Sequence, residues 1–172
     1  METGETTALA TTTSGSCLPA YRQRGELSTS TLLEIYAPRA VARSFRDVKT
    51  VSQALGLRKS GAVLSLGTLA KDNGAAKVET ILKMQLVELN DLLGLKTSMT
   101  KAQVEAMASD ILDLYPHLTI ADVNIVLGRI RRGECGKLYD RLTMPQLMQI
   151  FSDYNDERCE EAARQSRAEA ES

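Results

Sequence analysis

Apolar residues recur at helical spacing over most of the chain, most plainly from Ala75 to Leu93. There Val78, Ile81, Leu82, Leu86, Leu89 and Leu93 share one face, while Lys77, Lys83, Glu88 and Asn90 lie off it and Gly94 closes the run. Three more periodic runs follow, each opened by a threonine with a reciprocating side chain three residues on: Thr100/Gln103, Thr119/Asp122 and Thr143/Gln146. The first spans Thr100–Leu114 on Val104, Met107, Ala108 and Ile111, and Pro116 stops it. The second spans Ile120–Arg132 on Val123, Val126, Leu127 and Ile130, with Gly133 as its C-terminal stop. The third, Met144–Arg164, has Pro145 in its first turn, where the missing N–H costs nothing, and Leu147, Met148, Phe151 and Tyr154 as its apolar face. Beyond Arg164 the pattern predicts fraying into a charged tail.

The N-terminal third is less regular. A short helix is expected from Ser28 or Thr29 to Tyr36, ended by Pro38. Val41, Phe45, Val48, Val51 and Leu55 then keep helical spacing up to Gly56, although Ser44 could instead cap a shorter helix from Phe45. A further short helix is expected from Ser65 to about Lys71, closed by Asn73-Gly74; a strand pair there would have no sheet to join. Residues 1–26 hold Thr, Ser, Gly and Glu with no repeat at either structural period, and are expected to form a disordered polar tail. The expected architecture is all-α: a small orthogonal helical domain of five to six helices, with short helices over 27–60, a core domain over 61–165 and a charged tail over 166–172.

Composition supports this. Among 172 residues there is no tryptophan and few aromatics, and alanine and unbranched side chains lose least on entering a helix. The odd count of three cysteines (Cys17, Cys135, Cys159), with no CxxC pair and no secretory leader, suggests a reduced, cytoplasmic chain. No apolar run approaches the roughly 20 residues of a membrane span.

Charge refines the picture. The net charge of −1 argues against a surface that binds nucleic acid everywhere. Yet Tyr21–Ser60 holds eight Lys/Arg against three Asp/Glu, and Phe151–Ser172 holds three against seven. Arg129, Arg131, Arg132, Lys137 and Arg141 fall within thirteen residues around a glycine-rich turn, with Tyr139 among them. Cations in that arrangement suit a phosphate backbone, and the aromatic suits a base face. Arg39, Arg43 and Arg46, at spacings of four and three, form a possible second contact within a zone that also holds Lys49, Arg58 and Lys59. The plain alternative for both is a solvated helix face.

Other chemistry finds little support. His117 is the single histidine, set in a tight helix–helix link, so imidazole catalysis would have to run through it alone. One histidine and three scattered cysteines match no zinc spacing. Gly133-Glu134-Cys135-Gly136-Lys137 lacks the GxxxxGK spacing, the following Ser or Thr and the preceding strand of a phosphate loop. Cys135, near Arg132 and Lys137, could carry a lowered thiol pKa. A carboxylate-only metal site would have to gather Asp110, Asp113 and Asp122, and the last already has a role as a cap. A helix-turn-helix over 100–132 is disfavoured, because Ile120–Leu127 is core-like where a recognition helix is polar. The expectation is a non-enzymatic protein without metal or cofactor, whose partner is nucleic acid or another protein.

The C-terminal cassette resembles a family of uncharacterised all-helical proteins encoded by bacteriophages and mobile elements of anaerobic gut bacteria. The matching pieces are Leu114-Tyr115-Pro116, His117 through Asp122, Arg129 through Gly133, Gly136 through Leu142, and Tyr154 with Asp156 through Cys159; weaker similarity reaches back through Leu89–Leu92 to about Ser65. The resemblance implies a genetic context, a phage or mobile-element accessory role in maintenance or replication, rather than a reaction. A helicase loader or inhibitor, or a modulator of a host protein, would fit the same context.

Overall fold

A computed structural model describes residues 18–138 and 140–172. These residues form a 3-10 turn at Pro19–Arg22 and eight α-helices: α1 (Thr29–Ile35), α2 (Pro38–Ser44), α3 (Val51–Lys59), α4 (Leu66–Asn73), α5 (Ala75–Leu93), α6 (Lys101–Leu114), α7 (Ile120–Arg131) and α8 (Met144–Glu171). No strand occurs among the described residues, only two isolated bridges, Ser65 with Thr119 and Thr97 with Arg141. The fold is all-α. No described helix is long and apolar enough to cross a membrane.

Helix α7 is the axis of the fold. All its residues except Asn124, Arg129 and Arg131 are buried, and α2, α3, α5 and α8 pack around it. Helix α5 supplies a second long wall, contacting α1, α2, α4 and α6. One continuous core runs from Leu18 to Tyr154, so residues 27–60 share a core with residues 61–165. Burial of these aliphatic faces, at roughly 25 cal/mol per Å², is the main stabilising contribution.

The helix starts are fixed locally. Thr50, Thr100, Thr119 and Thr143 each accept from the backbone three residues on, and Gln53, Gln103, Asp122 and Gln146 reciprocate. Such caps are worth on the order of 1 kcal/mol each, so they set boundaries more than stability.

The described residues form eight α-helices, not the five to six expected of the domain; the periodic runs along the chain number seven, and two local features around Pro38 and Thr50 turn these into eight. Pro38 does not simply end α1: Ala37 is extended, as a residue before proline must be, and Pro38 then starts α2. The apolar spacing from Val41 to Leu55 also crosses a break. Helix α2 ends at Ser44, and the Thr50/Gln53 capping box starts α3 afresh at Val51. Neither one long helix nor a helix starting at Phe45 forms, and Gly56 lies inside α3 rather than at its end.

The ends differ as well. The disordered tail expected over 1–26 does not extend to its described part. Tyr21 is 4% exposed, its hydroxyl donates to the Ile35 carbonyl at 2.9 Å, and its carbonyl accepts from Leu64 N–H. Arg24 Nε and the Gly25 N–H both donate to Asp72 Oδ2, at 2.6 and 3.0 Å, and Leu27 N–H donates to Asn73 Oδ1. Residues 1–17, including Cys17, lie outside the described residues. At the other end, α8 continues through the expected charged tail to Glu171 instead of fraying at Arg164.

Candidate nucleic-acid interface

The basic loop divides between two sides of α7. Arg129 and Arg131 are two residues apart on a helix, about 200° of rotation, and so point away from one another. Arg129 faces α8. Its guanidinium donates to both carboxylate oxygens of Glu157, at 2.8 and 3.1 Å, and lies 5.4 Å from the centre of the Tyr154 ring. This ion pair raises the Arg129 pKa and consumes the cation within the fold.

Arg131 and Arg132 face the opposite side, where the turn after α2 packs on α7. There a groove of about 160 Å³ forms, with Phe45, Asn124 and Gly128 in its lining. The charged residues lining it are Arg46, Lys49, Arg131 and Arg132, all cationic. Arg46 and Lys49 project from the turn between α2 and α3, which Gln53 Oε1 holds by accepting from the Lys49 and Thr50 N–H groups. Arg132 folds over Gly128, and its Nε donates to Glu134 at 2.5 Å. Arg46, Lys49 and Arg131 form no ion pair among the described residues. Partial desolvation of Arg131 and the charge of Arg132 lower the Arg131 pKa from the usual arginine value, with Glu88 pulling the other way.

The two basic regions read from sequence therefore meet, but through a subset of their members. From the first, Arg131 and Arg132 reach the groove; Arg129 does not, and Lys137 and Arg141 are exposed elsewhere on the loop, Arg141 beside Thr97. Tyr139 lies outside the described residues. From the second, Arg46 alone of the proposed stripe lines the groove. The stripe is not continuous: Arg39 and Arg43 are exposed on α2, whereas Arg46 lies past its last residue. Lys49, Asn124 and Gly128 also line the groove, and of these only Lys49 stands out in the sequence. The Thr50/Gln53 box was the available signal, because it turns the Arg46–Lys49 segment from helix into turn.

The remaining chemical candidates are engaged in structure. His117 Nε2 lies 2.6 Å from Asn155 Oδ1 at the surface. Asp122 is fully buried: it receives the Thr119 N–H at Oδ2 (2.8 Å), and the Tyr154 hydroxyl (2.6 Å) and Arg158 Nε (3.3 Å) at Oδ1. Burial next to this carboxylate drives the Tyr154 pKa far up. Asp122 is therefore a cap and a core anchor, whereas Asp113 is exposed. The described residues hold no group of His, Cys, Asp and Glu suited to a metal ion. The lowered Cys135 pKa expected from its basic neighbours is reversed: burial raises it, with Glu134 and Asp153 acting the same way against Arg129 and Arg132.

Comparison of the chain with family models, with characterised proteins and with solved structures finds no match.

Proposed function

We propose that this protein is a non-enzymatic accessory protein of a phage or mobile element that binds nucleic acid in the groove between the α2–α3 turn and α7. The observation that carries the reading is the convergence of Arg46 and Lys49 with Arg131 and Arg132, residues far apart in sequence, around one concavity whose charged lining is all cationic. A solvated helix face spreads like charges apart, since repulsion between them costs stability. Here tertiary packing gathers them instead, and a polyanion would relieve that repulsion while releasing its own counterions. The phage and mobile-element context rests on the cassette residues quoted above, and action in the cytoplasm on the three cysteines without a CxxC pair. The non-enzymatic reading draws on the internal engagement of His117 and Asp122.

Fluorescence-anisotropy titration against labelled DNA and RNA at low and moderate salt tests the proposal. Saturable, salt-sensitive binding is expected, weakened in an Arg46→Ala/Lys49→Ala/Arg131→Ala variant and nearly intact in Lys137→Ala/Arg141→Ala. Absence of binding at low salt would overturn it.

A protein adapter is the second reading, favoured by a cavity of about 450 Å³ between α5 and α6 that is lined by Val87, itself 47% exposed. A partner that survives nuclease treatment of the lysate and is lost on Val87→Glu would support it.

A further inference from the structure

The groove also bears on what kind of nucleic acid it would take, an inference that rests on the function proposed above. Two routes to base recognition find no side chains in the groove among the described residues. The first is stacking, which needs an accessible ring face. The six aromatic residues among the described ones, Tyr21, Tyr36, Phe45, Tyr115, Phe151 and Tyr154, are all at most 9% exposed. Phe45 lines the groove but is only 1% exposed, a buried floor rather than a platform. The second is insertion of a helix into the major groove. Helix α7 and its C-cap carry two of the four cations, yet the helix is enclosed by α2, α3, α5 and α8 and cannot leave the core.

The shape of the site points the same way. Base edges lie recessed in a duplex and are reached by protruding elements, whereas phosphates form its outer ridges. A concavity with cations on two walls, Arg46 and Lys49 from the turn and Arg131 and Arg132 from the C-terminal end of α7 and its cap, complements a ridge. Arg132 is pre-set on its wall by the Gly128 backbone beneath it and by Glu134. With electrostatics as the main source of affinity, the polymer of higher charge density is favoured, and that is the duplex. We infer that the groove clamps the phosphate ridge of double-stranded nucleic acid without regard to sequence.

The test uses the full chain and four labelled probes of equal length: two DNA duplexes of unrelated sequence, an RNA duplex, and single-stranded oligo(dT). The two DNA duplexes should bind within about threefold of one another, and oligo(dT) on the order of tenfold more weakly at moderate salt. Neutralisation by the three cations without an ion pair gives a logarithmic salt slope of about −2.7 on duplex DNA. That slope corresponds to about a 40-fold loss of affinity between 50 and 200 mM salt. Arg131→Ala should flatten the slope by about 0.9. Tyr139→Ala should leave duplex affinity unchanged.

Tighter binding to oligo(dT), a large loss on Tyr139→Ala, or strong discrimination between the two DNA duplexes would overturn the duplex-clamp inference and leave nucleic-acid binding standing. Failure to bind any of the four probes at low salt would instead remove the functional reading itself.

Discussion

The guanidinium of Arg132 rests on Gly128: a methyl group added there would meet Arg132 Nη1 at 2.9 Å, with its other near neighbours also atoms of that guanidinium. Gly128 is a helical residue in the middle of α7, where alanine is favoured over glycine by about 1 kcal/mol. The obstruction is the far end of a flexible side chain, so it can move aside. Gly128→Ala should therefore leave stability unchanged or raise it by up to about 1 kcal/mol, while displacing Arg132 from its place in the groove. Urea denaturation and anisotropy on the same variant check the two halves: the midpoint should hold or rise as nucleic-acid affinity falls. A variant that loses stability would show that Gly128 serves packing rather than the groove.

Deeper in the core, Asp122 links α7 to α8 through Tyr154 and Arg158 and caps α7 through Thr119. Removing one partner of a buried ion pair leaves the other charge unpaired, at a cost of about 3–5 kcal/mol. Asp122→Ala should accordingly lower the thermal midpoint by at least about 6 °C for a domain of this size. Tyr154→Phe removes one donor and keeps the ring packed, and should cost less, about 1–3 kcal/mol. Thermal melts followed by circular dichroism rank the two; equal, small losses would deny the network its anchoring role.

Much of this helix map was legible from sequence, and the misses have identifiable causes. Helix α5 falls between Gly74 and Gly94, both at positive φ, and its apolar stripe is broken only by Gln85, which is buried and donates to the Tyr36 carbonyl. The reciprocal caps at Thr100, Thr119 and Thr143 place three more helix starts to the residue. Periodicity misleads between Val41 and Leu55 because Val48 keeps helical register while sitting in a turn, packed against the core. The candidate site was harder to read. Clustering along the chain puts Arg129 with Arg131 and Arg132, yet helical rotation sends Arg129 to Glu157 and the other two to the groove. The pairing of Arg46 and Lys49 with Arg131 depends on α2 docking against α7, a contact between distant segments that no local pattern encodes.

Acid stability should depend on Asp72. Its hydrogen bond from Arg24, then that from the Gly25 N–H, lower its pKa from 3.8 to about 2. A carboxylate with a depressed folded pKa adds stability that is fully present above its unfolded value. That contribution disappears as pH falls through the folded value. The excess stability of the wild type over Asp72→Asn should thus be constant above about pH 4 and shrink toward pH 2. Glu161, held at about 2 chiefly by Arg164 and then Gln165, titrates in the same window, so the comparison with the variant isolates Asp72. Urea midpoints at a series of acidic pH values measure the gap. A gap independent of pH across this range would assign the tie to the shape of the Arg24–Leu27 segment rather than to the carboxylate's charge.

The last turns of α8 are held differently from its first. Through Arg158 the helix buries Leu147, Phe151 and Tyr154, but further along only Ala162 packs against the core. Attachment to α3 then depends on polar contacts at the surface: Lys59 Nζ to Glu169 Oε1 at 2.8 Å and to Gln165 Oε1 at 3.1 Å, and Gln165 Nε2 to Ser52 Oγ at 3.0 Å. Exposed ion pairs contribute about 0–1 kcal/mol, and segments with few buried apolar contacts open without global unfolding. Amides beyond Gln165 should exchange with solvent orders of magnitude faster than those around Phe151. Lys59→Ala should accelerate them further while shifting global stability by less than about 0.5 kcal/mol. Hydrogen exchange read residue by residue decides this: protection at Glu169 equal to that at Phe151 would mean that the C-terminal turns unfold only with the core.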